Sequence, residues 1–243
     1  MIDRRKLTFG VGKHDLTGFI CSRCRQGLLT PVNGLDHFHP PYSANWMKDG
    51  GTYEDVQLSL CATLQCSARH CGAQAIIRCE GGVEPDYSQG HDGPLEEYFF
   101  IRAFSPSPHL IKIPAGVPKA VVEELKKSFD VFWSNKTLAA NSIRNCIEAM
   151  LSHFGVPDEV DGKWVSLGNR IRTYAEIDTE HSEFFSVLRP IINSGSHGEE
   201  LETGVILDIY EALEIFLETV FSDRTTRFKE LTENLKSRGS NNL

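Results

Sequence analysis

Four of the seven cysteines fall in two short pairs, Cys21-Ser-Arg-Cys24 and Cys66-Ser-Ala-Arg-His-Cys71. Two thiolates on one tight turn and two on another meet the demand of a tetrahedral ion such as Zn2+, which binds sulfur at about 2.3 Å. An odd cysteine count with a C-x-x-C pair reads as metal binding or burial rather than as a disulfide framework. Four protein ligands leave no open position, so the expected Zn2+ is structural and not catalytic. Forty-one residues separate Cys24 from Cys66, a wide gap that contains Asp36-His37-Phe38-His39. One of those histidines, or His70 inside the second turn, could replace a cysteine in the ligand set. Cys61, Cys79 and Cys146 fall at strand or helix positions and are expected to be ordinary buried thiols.

A second constellation is Arg189, Asn193 and His197, spaced four residues apart. On a continuous helix such residues form one polar stripe roughly 12 Å long. A guanidinium, an amide and an imidazole are the groups of a metal-independent ribonuclease, in which histidine moves a proton and arginine stabilises the charged phosphorane. The competing expectation is structural. Arg189 would pair with an acid such as Glu148, and His197 would hydrogen-bond within the bundle or face a partner. Gly195 and Ser196 suggest that the helix ends there.

The elements that must position these groups change in character near residue 115. Val56, Leu58, Leu60, Ala62 and Leu64 alternate with polar residues, as in a half-buried strand, and Ala73–Cys79 is a second β-prone run. The second cysteine pair therefore occupies the turn of an expected hairpin. The first, between Phe19-Ile20 and Leu28-Leu29, occupies another. Glu80–Pro94 reads as a surface loop and Glu97–Phe104 as a further strand. Residues 105–117, rich in proline, read as a linker. Helices are expected from Pro118 to about Trp133, over 138–154, over 164–175, from Asp178 or Thr179 with a kink or restart at Pro190, over 203–221, and over 228–235. The predicted fold class is α+β: a zinc-ribbon-like small β domain (1–104) followed by an all-α antiparallel helical bundle (118–243).

Charge and hydropathy narrow the function. No apolar run is long enough to span a membrane, and the first twenty residues lack the apolar core of a secretory signal, so a cytoplasmic protein with no membrane partner is expected. Of the net charge of −8, residues 116–243 account for −7, with 14 basic and 21 acidic side chains. Such a half is poorly suited to binding nucleic acid non-specifically.

The stretch Ile111–Val117, the helix with Arg144 and Glu148, and the run from Leu188-Arg189 through Asn193 to His197 resemble a bacterial family known as domain of unknown function 4145. Its pattern is a proline-containing lead-in, an RxxxE-like helix and a late R…GN…AAH helix. Here Ile192 stands for the family's glycine, and Gly195-Ser196 for its two alanines. Members often carry a zinc-ribbon-like segment in front. The resemblance implies a HEPN-like helical domain, related to RNA-cutting toxins and defence components, although the Arg–His pair is spaced more widely here. It also implies association with restriction and anti-phage systems, often as an accessory domain.

Three functions follow as expectations. The first is a zinc-binding accessory or interaction protein, whose helices meet a protein partner or form a homodimer. The second is an endoribonuclease using Arg189 and His197. The third is an RNA or DNA reader that uses the ribbon with Arg4, Arg5, Lys6, Arg23 and Arg25.

Overall fold

The computed structural model describes residues 3–86, 93–194, 201–222 and 232. Its first part is a curled antiparallel sheet built from β1 (Phe19–Ile20), β2 (Leu28–Pro31), β3 (His37–Phe38), β4 (Leu58–Cys66), β5 (Gln74–Pro85) and β6 (Leu95–Ser105). The strands run in the order β1-β2-β4-β5-β6, and β3 joins the far end of β4 beside β2. The alternation at Leu58, Leu60 and Leu64 is realised: all three are buried. Period-two patterning on one covered face fixes the register, because a slip of one residue would expose the whole set.

The expected surface loop over 80–94 is shorter than the sequence suggested. β5 continues through Gly81 and Gly82 to Pro85 and pairs with β6 as far as Leu95. Two adjacent glycines look like a loop signal, but here they permit close approach. A side chain on Gly81 would lie 1.9 Å from the Tyr98 carbonyl oxygen. Two short helices were also not anticipated: α1 (Arg4–Thr8) and α2 (Pro41–Lys48). After α1 the chain bridges Val11 to Phe99 on the outer edge of β6, then enters β1.

The second part is helical: α3 (Lys119–Phe132), α4 (Lys136–His153), α5 (Leu167–Ala175), α6 (Thr179–Ser194) and α7 (Thr203–Phe221). Pro118 is the residue before α3 rather than its first turn, and the Asn135 and Ser166 side chains cap α4 and α5. Trp164 does not open a helix. It closes a small hairpin of β7 (Glu159–Val160) and β8 (Lys163–Trp164), which turns at Asp161 and Gly162, both at positive φ. Pro190 lies inside a continuous α6. Both Pro190 and Ser186, whose carbonyl loses its helical donor, are exposed, so water can satisfy that carbonyl. The helix expected over 228–235 lies outside the described residues. None of the helices described is long and apolar enough to cross a membrane.

The two parts share one core. Phe19 and Phe104 from the sheet meet edge-on at 5.1 Å, and Trp133 at the end of α3 joins them at 6.1 and 5.4 Å. Residues 105–117 carry much of this junction. Leu110, Ile111 and Ile113 are buried, and the Trp133 indole donates to the Ser107 hydroxyl at 2.9 Å. The peptide N–H groups of Ser107 and Lys112 donate to Asp130 on α3 and Glu214 on α7. Within the helices, the buried Ser128 hydroxyl donates to the Ala139 carbonyl and meets the Tyr210 hydroxyl at 2.7 Å, which ties α3, α4 and α7 together. At the other end of the chain, Arg4 reaches Asp208 at 2.5 Å and Glu211 at 2.9 Å, docking α1 on α7.

Candidate metal centre

The turn between β1 and β2 is closed by its own backbone. Cys21 N–H donates to the Gly27 carbonyl and Arg25 N–H donates to the Cys21 carbonyl. Arg25 takes φ +57°, the left-handed turn that swings the chain back toward β2. Its guanidinium reaches the Ile113 carbonyl, which anchors the turn to the 105–117 segment. The β4–β5 turn is built similarly. Cys66 N–H donates to Ala73, Cys71 N–H donates to Ala68, and Gly72 takes φ +57°. The Leu29↔Cys66 pairing between β2 and β4 sets the two turns side by side, and Ser67 N–H bonds the Leu28 carbonyl across the gap.

The result is one cluster. The sulfurs of Cys21, Cys24, Cys66 and Cys71 lie within 4.8 Å of one another. Cys21 and Cys71 are 3.8 Å apart, and Cys24 and Cys66 are 3.5 Å apart. A regular tetrahedron with 2.3 Å metal–sulfur bonds has edges of about 3.8 Å. The cluster therefore fits a tetrahedral four-thiolate ion, while both pairs are far longer than the roughly 2.05 Å of a disulfide. Among the described residues the cluster holds no histidine, and His37 pairs with Glu97 and packs on His39 and Phe99.

The electrostatics suit a ligand set that waits for a cation. The Gly27 N–H, then that of Gln26, holds the Cys24 thiol down at about 6, so it is largely thiolate at neutral pH. Burial pushes Cys66 up to about 12. An ion reverses such a preference by stabilising the thiolate directly. Cys21 and Cys66 are buried and the other two are partly so, which leaves the centre shielded. Of the remaining thiols, Cys79 and Cys146 are buried as expected. Cys61 is a correction: it lies on the outward face of β4 and is exposed.

Gly27 is a residue beside the cluster that motif reading missed. A Cβ there would lie 2.4 Å from the Cys66 sulfur and 2.7 Å from the Ala68 nitrogen. A glycine three residues after a C-x-x-C pair is the signal that could have pointed to it.

The arginine–asparagine row sits elsewhere, on α6. Arg144 on α4 forms an ion pair with Glu148 at 3.2 Å and reaches the Asn193 amide oxygen at 3.5 Å. Glu148 is thus taken by Arg144, and Arg189 does not pair with it. Arg189 lies instead over Gly168 in the first turn of α5. His197 lies outside the described residues. Among the proposed basic contacts of the ribbon, Arg4 is engaged by two acids of α7 and Arg25 by a carbonyl. A further residue unforeseen from sequence is Arg170. It is buried, and one terminal nitrogen donates to the Glu148 and Val156 carbonyls and the Ser152 hydroxyl, closing the end of α4.

No curated protein and no solved structure matches the chain. Residues 126–238, from within α3 onward, match the family model described as Domain of unknown function (DUF4145).

Proposed function

We propose that this chain is a zinc-binding accessory protein, in which a closed four-cysteine ribbon of Cys21, Cys24, Cys66 and Cys71 stiffens the sheet and the helical domain presents a binding surface to a protein partner or a second copy. The observation that carries the reading is the four-sulfur cluster with tetrahedral edge lengths. Four thiolates saturate Zn2+, so the metal would contribute folding energy and leave no position for substrate. The acidic helical half and the engagement of Arg4 and Arg25 within the fold favour a protein partner over nucleic acid. The family's association with restriction and anti-phage systems makes such an assembly the place to look for the partner.

Elemental analysis of purified protein tests the metal directly, with about one equivalent of zinc expected per chain. Well under half an equivalent sinks the ribbon. The accessory role is tested by RNA degradation: the wild type and His197→Ala should share one background rate in the presence of chelator. Cleavage that both His197→Ala and Arg189→Ala abolish, with unchanged melting temperatures, would replace this reading with that of a ribonuclease. Light scattering at high micromolar concentration separates a homodimer from a monomer.

A further inference from the structure

We infer that the corner between α4, α5 and α6 is a binding site for a phosphomonoester, the terminal phosphate of a small molecule. This goes beyond the accessory reading and does not depend on the metal. The site is a concavity of about 200 Å³ whose lining includes Arg144, Arg172, Arg189, Asn193 and the first turn of α5 from Ser166 to Asn169. Three independent elements each bring an arginine to it: α4, α5 and α6.

The three guanidiniums differ in their partners. Arg144 is balanced by Glu148. Among the described residues, Arg172 and Arg189 form no ion pair with a carboxylate, in a chain that carries 33 acidic side chains against 25 basic ones. Arg172 is steadied by a hydrogen bond to the Asn169 amide oxygen, a neutral partner that holds the guanidinium in place. Asn193 accepts from Arg144, so its amide NH2 remains available as a donor. Beneath these groups, α5 turns the positive end of its dipole toward the corner, with its Asn169 and Arg170 N–H groups already held by Ser166.

Gly168 leaves room for Arg189 at the corner. A Cβ at that position would meet the Arg189 guanidinium at 2.7 and 2.9 Å. A side chain there would push the Arg189 guanidinium away from the opening turn of α5, which lines the corner with it. Two guanidinium charges without a carboxylate partner among the described residues match the charge of nearly −2 on a phosphomonoester at neutral pH. The planar forks supply paired N–H donors suited to phosphate oxygens. A nucleic-acid strand fits less well. It would carry further phosphates across a helical half whose net charge is −7, where each is repelled.

Calorimetric titration of the full zinc-loaded chain at low salt tests the site with three probes: inorganic phosphate, adenosine monophosphate and a hexauridylate that lacks a terminal phosphate. Phosphate and the mononucleotide should bind saturably, and binding should weaken as salt rises. Arg189→Ala and Arg172→Ala, both at exposed positions, should each weaken binding at least tenfold while zinc content and melting temperature stay at wild-type values. Gly168→Ala should weaken binding as well, although alanine is the better helix former. The inference is overturned by absence of saturable phosphate and mononucleotide binding, or by variants that bind like the wild type. It is equally overturned if the unphosphorylated hexamer binds as tightly as the mononucleotide, which would make the corner a strand-binding surface. Zinc content is read in the same samples, so loss of the metal reading and loss of this one are separate results.

Discussion

Gly27→Ala adds one methyl group at the most crowded point of the cysteine cluster. The new carbon would sit 2.4 Å from the Cys66 sulfur, 2.7 Å from the Ala68 nitrogen and 2.9 Å from the Ala68 Cβ. Comfortable contact begins near 3.5 Å, so the overlap is about 1 Å against three atoms at once. The Ala68 side cannot yield easily, because its carbonyl holds the Cys71 N–H and the neighbouring Ser67 N–H is bonded to Leu28. Relief must come from moving Cys66 or opening the β1–β2 turn, and either displaces a sulfur by more than the roughly 0.2 Å that a metal bond tolerates. Overpacking of this kind costs about 1–3 kcal/mol. Expressed as zinc affinity, that is a loss of about 5- to 150-fold, since each 1.4 kcal/mol is tenfold. Competition with a chromogenic chelator measures it, and thermal melting gives a parallel drop of roughly 2–12 °C for a chain of this size. Gly204→Ala is the control: nothing lies within 4 Å of its added carbon in α7, and it should leave both readings unchanged or slightly improved. Gly27→Ala protein with wild-type zinc affinity and melting temperature would refute the packing argument.

Other outcomes follow from buried groups. Arg170→Met keeps the apolar stem but removes the donor from the Glu148 and Val156 carbonyls and the Ser152 hydroxyl. Denaturant unfolding should show a loss of about 2–4 kcal/mol, and a change below 1 kcal/mol would mean that water replaces the guanidinium. Cys66→Ser should abolish stoichiometric zinc and expose the sheet to limited proteolysis, whereas exposed Cys61→Ser should do neither. His109 packs against Phe129 and is lowered to about 4, chiefly by burial and then by Arg25 and Lys126. Its folded value lies below the ordinary 6.5, so the unfolded chain binds the proton first and stability falls as pH drops from about 6.5 toward 4. His109→Phe should flatten that part of the melting profile, and a profile identical to wild type would show that His109 is not its source.

Where neighbouring residues settle the matter, the sequence alone was sufficient. The alternation over 56–64 specified β4, and the apolar stripe of 203–221 specified α7 with both ends correct. The paired cysteines named their own cluster, because two residues on one tight turn are already close, and hairpin tips are where such turns occur. The tertiary structure decided what depends on contacts between distant residues. Gly81-Gly82 reads as a loop until Tyr98 is seen to need that space, and Gly27 reads as an ordinary turn until Cys66 arrives beside it. Residues 105–117 look like a linker because proline breaks local structure, yet their apolar side chains have a core to enter once α3 and the sheet meet at Trp133. Arg170 and the arginine corner could not be foreseen either. The burial of one guanidinium and the meeting of three others depend on how the successive helices α4, α5 and α6 pack against one another, which the spacing of residues within each helix does not specify.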